Sequence, residues 1–200
     1  VLFRSRVEDI PFDVISPEKA VANVVVLKGG APDSWSRKNL PKQVEVKVGV
    51  AASKLHILGG VAGWGHPAVG EKINALKITA VFEGGATQEI VLKNGVEIAD
   101  YRGRPDVTGS KGLPSWTKGP GQIRWLSKNI TKPGVIQKLV LESYDNEVAP
   151  TLFAITAELG APAGPEQVLA EPAAAPLKWG NGIKTLLIGG GASHDYNRWF

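Results

Sequence analysis

Over residues 6–159 the chain repeatedly alternates apolar with polar side chains and never carries a sustained helical stripe. Successive side chains of a strand point to opposite faces, so a period of two commits this region to half-buried strands. The clearest case is 42–50, where Val44, Val46, Val48 and Val50 share one face and Gln43, Glu45 and Lys47 the other. A second unit runs over 75–93. There Leu76, Ile78, Ala80 and Phe82 alternate with Lys77, Thr79 and Glu83, Gly84-Gly85 turns the chain, and 88–92 returns. This predicts a β-hairpin, followed by another turn at Asn94-Gly95. Further strands are predicted at 23–28, 54–58, 122–127, 135–143 and 151–158, each bounded by Gly, Pro or Asn. Such a series predicts a mainly β fold of two packed antiparallel sheets, a β-sandwich or jelly roll.

The pattern breaks at residue 160. GAPAGPEQVLAEPAAAP (160–176) holds almost nothing that could build a core, so 160–178 reads as a semi-extended Ala/Pro-rich linker. The apolar run 182–188 that follows lacks alternation, as expected of a first parallel strand covered on both faces. A strand of an open sheet needs neighbours, so 179–200 is expected to be the truncated start of an α/β domain. At the other end, VLFRS (1–5) matches the translated end of a sequencing adapter and is left out of fold reasoning. The β module is therefore expected to span 6–159.

Twenty-three Lys and Arg face nineteen Asp and Glu, a net charge of +4 that falls to +3 without Arg4, and the cations are scattered. Nucleic-acid recognition needs a clustered basic face, so it is not expected. No apolar run approaches the roughly 18–20 residues that cross a bilayer. The absence of cysteine removes disulfides, thiolate metal sites and a Cys nucleophile. His56 and His66 without a third ligand fall short of a zinc signature. No cofactor is predicted. Calcium would need only oxygens, such as those near Asp100, Asp106 and Asp145, but no spacing there identifies a site. Glu83, Glu97, Asp100 and Glu142 read as solvated strand-face or turn residues in place of a facing pair for glycoside hydrolysis.

Two patches could bind a ligand. In LHILGGVAGWGHPAVGEK, glycines flank Trp64 and His66, and an exposed Trp can stack on a sugar ring. The second patch joins Trp116 and Trp125 with Arg124 as a polar contact. The competing reading makes Trp64 and Trp125 core residues and His56 a satisfied core histidine, and it is the stronger one. The basic, Gly- and Pro-rich stretch 101–120 is either a loop that orders on binding or a cover with Trp116 tucked beneath it. In an open α/β sheet, ligands sit beyond the carboxyl ends of strands, which points to 189–195. His194 would then be a general base, ligand contact or metal ligand oriented by Asp195, with Gly190 and Gly191 giving close approach. Alternatively, the glycines only permit a turn and Asp195 caps a helix.

IGGGASHDYNRWF resembles the opening strand and loop of ThuA-like (trehalose-utilisation-like) domains, whose fold is similar to class I glutamine amidotransferases. IPFDVISPEKA, LPKQVEVKVGVAASKLHILGGVAGWG, VLKNGVEIADY and KLVLESYDNEVAPTLFAITAEL resemble galactose-binding-like β-sandwich modules. Such modules accompany ThuA-like domains in large secreted or periplasmic bacterial proteins. The resemblance implies an extracytoplasmic, non-catalytic accessory module with a carbohydrate-related role, whose partners are carbohydrate and neighbouring domains of the same chain. Two alternatives stand beside it: a structural interdomain spacer, and a fragment of an enzyme whose active site includes the His194-Asp195 loop.

Overall fold

A computed structural model describes residues 2–15, 23–62, 72–117, 119–162 and 183–187. In chain order the elements are β1 (Leu2–Val7), β2 (Ile10–Ile15), β3 (Val25–Val26), α1 (Trp35–Asn39), β4 (Gln43–Val50), β5 (Ala52–Ala62), β6 (Asn74–Phe82), β7 (Thr87–Lys93), β8 (Lys111–Leu113), a 3₁₀ turn (Pro114–Trp116), β9 (Ile123–Asn129), β10 (Ile136–Ser143), β11 (Ala149–Leu159) and β12 (Ile183–Leu187). A four-stranded sheet has the order β4-β10-β6-β7 and a six-stranded sheet the order β12-β11-β5-β9-β8, with β3 also on β11. A separate hairpin joins β1 to β2. The strands pair antiparallel, and the protein is mainly β.

The alternation explains the core. On the four-stranded sheet, Leu76, Ile78, Ala80, Phe82, Leu139 and Leu141 turn inward, and the β4 valines pack against them. Leu55, Ile57, Leu126, Leu152, Ile155 and Ala157 meet them from the six-stranded sheet. Each fully buried side chain of this size contributes roughly 1.5–3 kcal/mol relative to exposure. The outward residues of the four-stranded sheet stay wet, as Glu45, Lys47 and Glu89 do.

The six-stranded sheet is covered on its second face as well. Leu58, Ile123, Phe153 and Ala154 form another cluster with Val7, Ile10 and Phe12 of the hairpin. A bulge between Leu152 and Ala154 lets Phe153 and Ala154 join the outer side together. Two polar ties fix the hairpin: the Thr156 hydroxyl donates to the Pro11 carbonyl (2.7 Å), and Lys111 Nζ donates to Glu8 Oε1 (2.9 Å).

This double cover accounts for the differences from the sequence reading. β5 and β11 run longer than the predicted 54–58 and 151–158, because strands buried on both faces lose the alternation that marks their ends. Residues 2–5, left out of that reading, pair with 12–15. Ile183–Leu187, expected to begin the α/β part, pairs antiparallel with 154–158 of β11. An apolar run satisfies its backbone equally well on any free edge, and β11 offers one next to β3. The other residues of the expected α/β start, and 163–182 of the linker region, lie outside the described residues. Among the described residues no helix is long and apolar enough to cross a membrane.

Candidate functional site

The strand registers place the strand ends from β3 to β11 at one of two ends, and the strand ends that flank 160–182 lie at the turn end. At the turn end, β4 passes to β5 through residue 51, β6 to β7 through 83–86, and β9 to β10 through 130–135. At the opposite end lie the connections 27–42, 94–110 and 144–148, with 114–117 and 119–122 and the strand ends that flank 63–73. Long loops on a rigid sheet scaffold are where binding residues concentrate. The long-loop end is thus the candidate site, and the stretch holding Trp64 and His66 begins and ends there. Both of those residues, with Gly190, Gly191, His194 and Asp195, lie outside the described residues.

The segment 27–42 is clamped onto 144–150. Leu27 N–H donates to the Pro150 carbonyl (2.9 Å) and Gly30 N–H to the Asn146 carbonyl (2.9 Å). A Cβ on Gly29 would collide with the Val148 carbonyl, so only glycine fits. Ser34 caps α1 by accepting from Arg37 N–H (3.3 Å), and Ser36 Oγ donates to the Gly29 carbonyl (2.7 Å). Arg37 then reaches the next loop: Nε lies 3.3 Å from Asp145 Oδ1, and Nη2 donates to the Asp145 carbonyl (2.8 Å). Lys28 Nζ sits 3.2 Å from Asp145 Oδ2. Asp145 itself adopts a left-handed backbone (φ 55°), held by its N–H on Ser143 Oγ (2.8 Å). The same two loops carry Trp35, 52% exposed, and Tyr144, 39% exposed, the two exposed large hydrophobics among the described residues.

Arg124 corrects the sequence reading. Its side chain is 1% exposed, and its donors go to the chain itself: Nη1 to the Pro105 carbonyl (2.6 Å), Nη2 to the Ser110 carbonyl (2.8 Å) and Nε to Ser110 Oγ (2.6 Å). A buried guanidinium must satisfy its donors, and here it does so by stapling the loop 101–110 to β9. Gln122 Nε2 adds a bond to the Pro105 carbonyl (3.0 Å), and Arg104 reaches the carbonyls of Gly119 and Gly121. Trp116 packs, partly buried, against the outer apolar cluster. The described part of 101–120 is therefore pinned, Arg124 has its donors committed to the chain, and Trp116 is half-buried against the outer cluster.

The acidic residues do not converge. Asp145 is bound to two cations, Asp100 Oδ1 accepts from Arg102 N–H (2.9 Å), and Asp106 is exposed. The described residues bring no three His, Cys, Asp or Glu together for a metal. Glu142 is held below the usual carboxylate range by its hydrogen bond from Lys77 (2.8 Å), with Lys42 assisting at 3.5 Å.

His56, 4% exposed, lies on the hairpin-covered side of β5. Its ring stacks on Trp125, with centroids 6.1 Å apart and planes 9° apart. A carboxylate only accepts, so Nε2 donates to Glu158 Oε2 (2.9 Å) and Nδ1 is the bare nitrogen. Nδ1 and Trp125 Nε1 are buried without a partner among the described residues. Burial pushes the His56 pKa down, against the opposing pull of Glu158.

Sequence reasoning missed Trp35, Tyr144, Lys28 and Arg37. The Asp33-Ser34 pair before Trp35 is a helix-start signal that would have found α1, but five residues are too few to show a helical period. The arrangement offers two exposed aromatics on hydrogen-bonded loops, which can bind, but it holds no assembled catalytic group among the described residues. Compared with known proteins, the chain matches no family model, no curated protein and no solved structure.

Proposed function

We propose that this chain is a non-catalytic accessory module that binds carbohydrate through its long-loop end, within a protein carrying a ThuA-like domain. The observation that carries the reading is the pair of exposed aromatics, Trp35 and Tyr144, on two adjoining loops tied to each other by backbone hydrogen bonds at one end of the sandwich. Exposed aromatics on ordered loops suit the apolar faces of sugar rings at low entropic cost. The jelly-roll comparison with galactose-binding-like modules and an extracytoplasmic setting follow from the sequence resemblance.

A second reading, an assembly element that docks on neighbouring domains, is favoured by Trp116 turning onto the outer cluster and by the pinning of 101–110. Affinity electrophoresis of the 200-residue chain through a panel of soluble polysaccharides separates the two. The expected result is retardation in at least one gel and no release of reducing ends. Hydrolysis would overturn the non-catalytic assignment, and unretarded migration throughout the panel would leave the assembly reading.

A further inference from the structure

We infer that β4 is a self-association edge: two copies of the chain pair antiparallel along 44–48 about a two-fold axis at Val46, joining their four-stranded sheets into one. The inference does not depend on the glycan reading. β4 ends its sheet, and among the described residues the backbone of 43–50 bonds to β10 alone. An edge strand leaves alternate N–H and C=O groups unpaired, a template for another strand unless proline, an inward charge, a bulge or a covering segment blocks it. Gln43 to Lys47 carries none of these: it pairs with β10 one to one, and the register shift falls beyond it, where Gly49 takes a φ of 72°. Val44, Val46 and Val48 lie on the core side yet stay only half-buried, so the core's valine row is left partly uncovered at this edge. Two other edges are less open: β8 has three residues, and Gln88 of β7 is bound to the Asn129 carbonyl and the Thr131 N–H.

The charges select the occupant and the register. Across a two-fold axis normal to the sheet each strand meets its own sequence reversed, and facing residues lie on the same face. With the axis at Val46, Val46 meets itself, Val44 meets the partner's Val48, and Glu45 meets the partner's Lys47, twice by symmetry. Moving the axis to Glu45 or to Lys47 sets like charges face to face, and a pairing shifted by one residue opposes valine to charge. Both charges are available. Glu45 is exposed, holds Lys138 through Oε1 and keeps Oε2 for a second cation. Lys47 is exposed, lies across the ladder from Lys138, and has no carboxylate partner among the described residues. A second copy supplies that carboxylate and covers the valine row with its own.

Sedimentation velocity of the 200-residue chain over a concentration series tests this. The intact chain should show a concentration-dependent equilibrium between monomer and dimer. Lys47→Glu and Glu45→Lys should each weaken dimerisation by about tenfold or more, since each sets like charges opposite one another at both symmetric contacts. Mixed one to one, the two variants should dimerise again, because every contact between positions 45 and 47 in the hybrid is of opposite sign. Circular dichroism checks folding, and Lys47→Glu, which gives Lys138 a second carboxylate within the chain, carries the test alone if Glu45→Lys unfolds. A chain that stays monomeric up to about 1 mM would overturn the inference. A dimer indifferent to both reversals would overturn β4 as its seat, and folded variants that stay apart on mixing would overturn the register.

Discussion

The two sheets of this sandwich solve different burial problems. The four-stranded sheet covers one face and keeps the other in water, so β4 alternates residue by residue between half-buried and exposed. The six-stranded sheet is enclosed by its partner on one side and by the β1–β2 hairpin on the other, and β11 is buried along nearly its whole length. Alternation in a sequence therefore reports how many faces of a strand are covered, as well as that a strand exists.

The largest test of this contrast removes the hairpin's anchor. Phe12 is fully buried in the outer cluster. Phe12→Ala should cost about 3–5 kcal/mol in chemical denaturation and raise hydrogen exchange across 2–15. A loss below about 1 kcal/mol would mean that the hairpin is only a loose cover and that the two sheets are alike.

A middle-sized effect should come from His56 on that covered face. Its pKa in the folded chain lies below the ordinary 6.5, first because of burial, with Lys54 adding to the depression and Glu158 opposing it. Between the two values the unfolded chain binds the extra proton. The contribution is thus complete above about pH 6.5 and is lost as pH falls, with a slope of up to about 1.4 kcal/mol per pH unit. Stability measured from pH 7.5 to 5 should show this slope, and His56→Phe should flatten it. An equal slope in that variant would show that the covered face is wet.

The smallest effect belongs to the open face of the other sheet. Lys138 Nζ lies 2.7 Å from Glu45 Oε1 on the solvent side. Lys138→Ala should change stability by less than about 0.5–1 kcal/mol, because solvent screens such pairs. A larger loss by thermal denaturation would indicate that this side, too, is covered.

The same contrast explains what could be read from the sequence. β4 was legible in place and face, and the β6–β7 hairpin in place and turn, because one wet face preserves the period of two. β1, β2 and β8 were not, since pairing over a second sheet depends on contacts remote in sequence, such as Thr156 with Pro11. At the candidate site, composition drew attention to Trp64, Trp116 and Arg124 and passed over Trp35. An arginine beside a tryptophan looks the same in sequence whether its donors face solvent or the carbonyls of Pro105 and Ser110. Only the folded path of 101–110 tells them apart.

Gly29 sets a limit on how the long-loop end can vary. Its absent side chain lets two strands of loop backbone run in contact, and the neighbouring loops inherit their spacing from that seam. A single methyl there would act as a wedge, prying the segment with Trp35 from the one with Tyr144 while both sheets stayed shut. The spacing of the whole rim thus hinges on one atom that is not there.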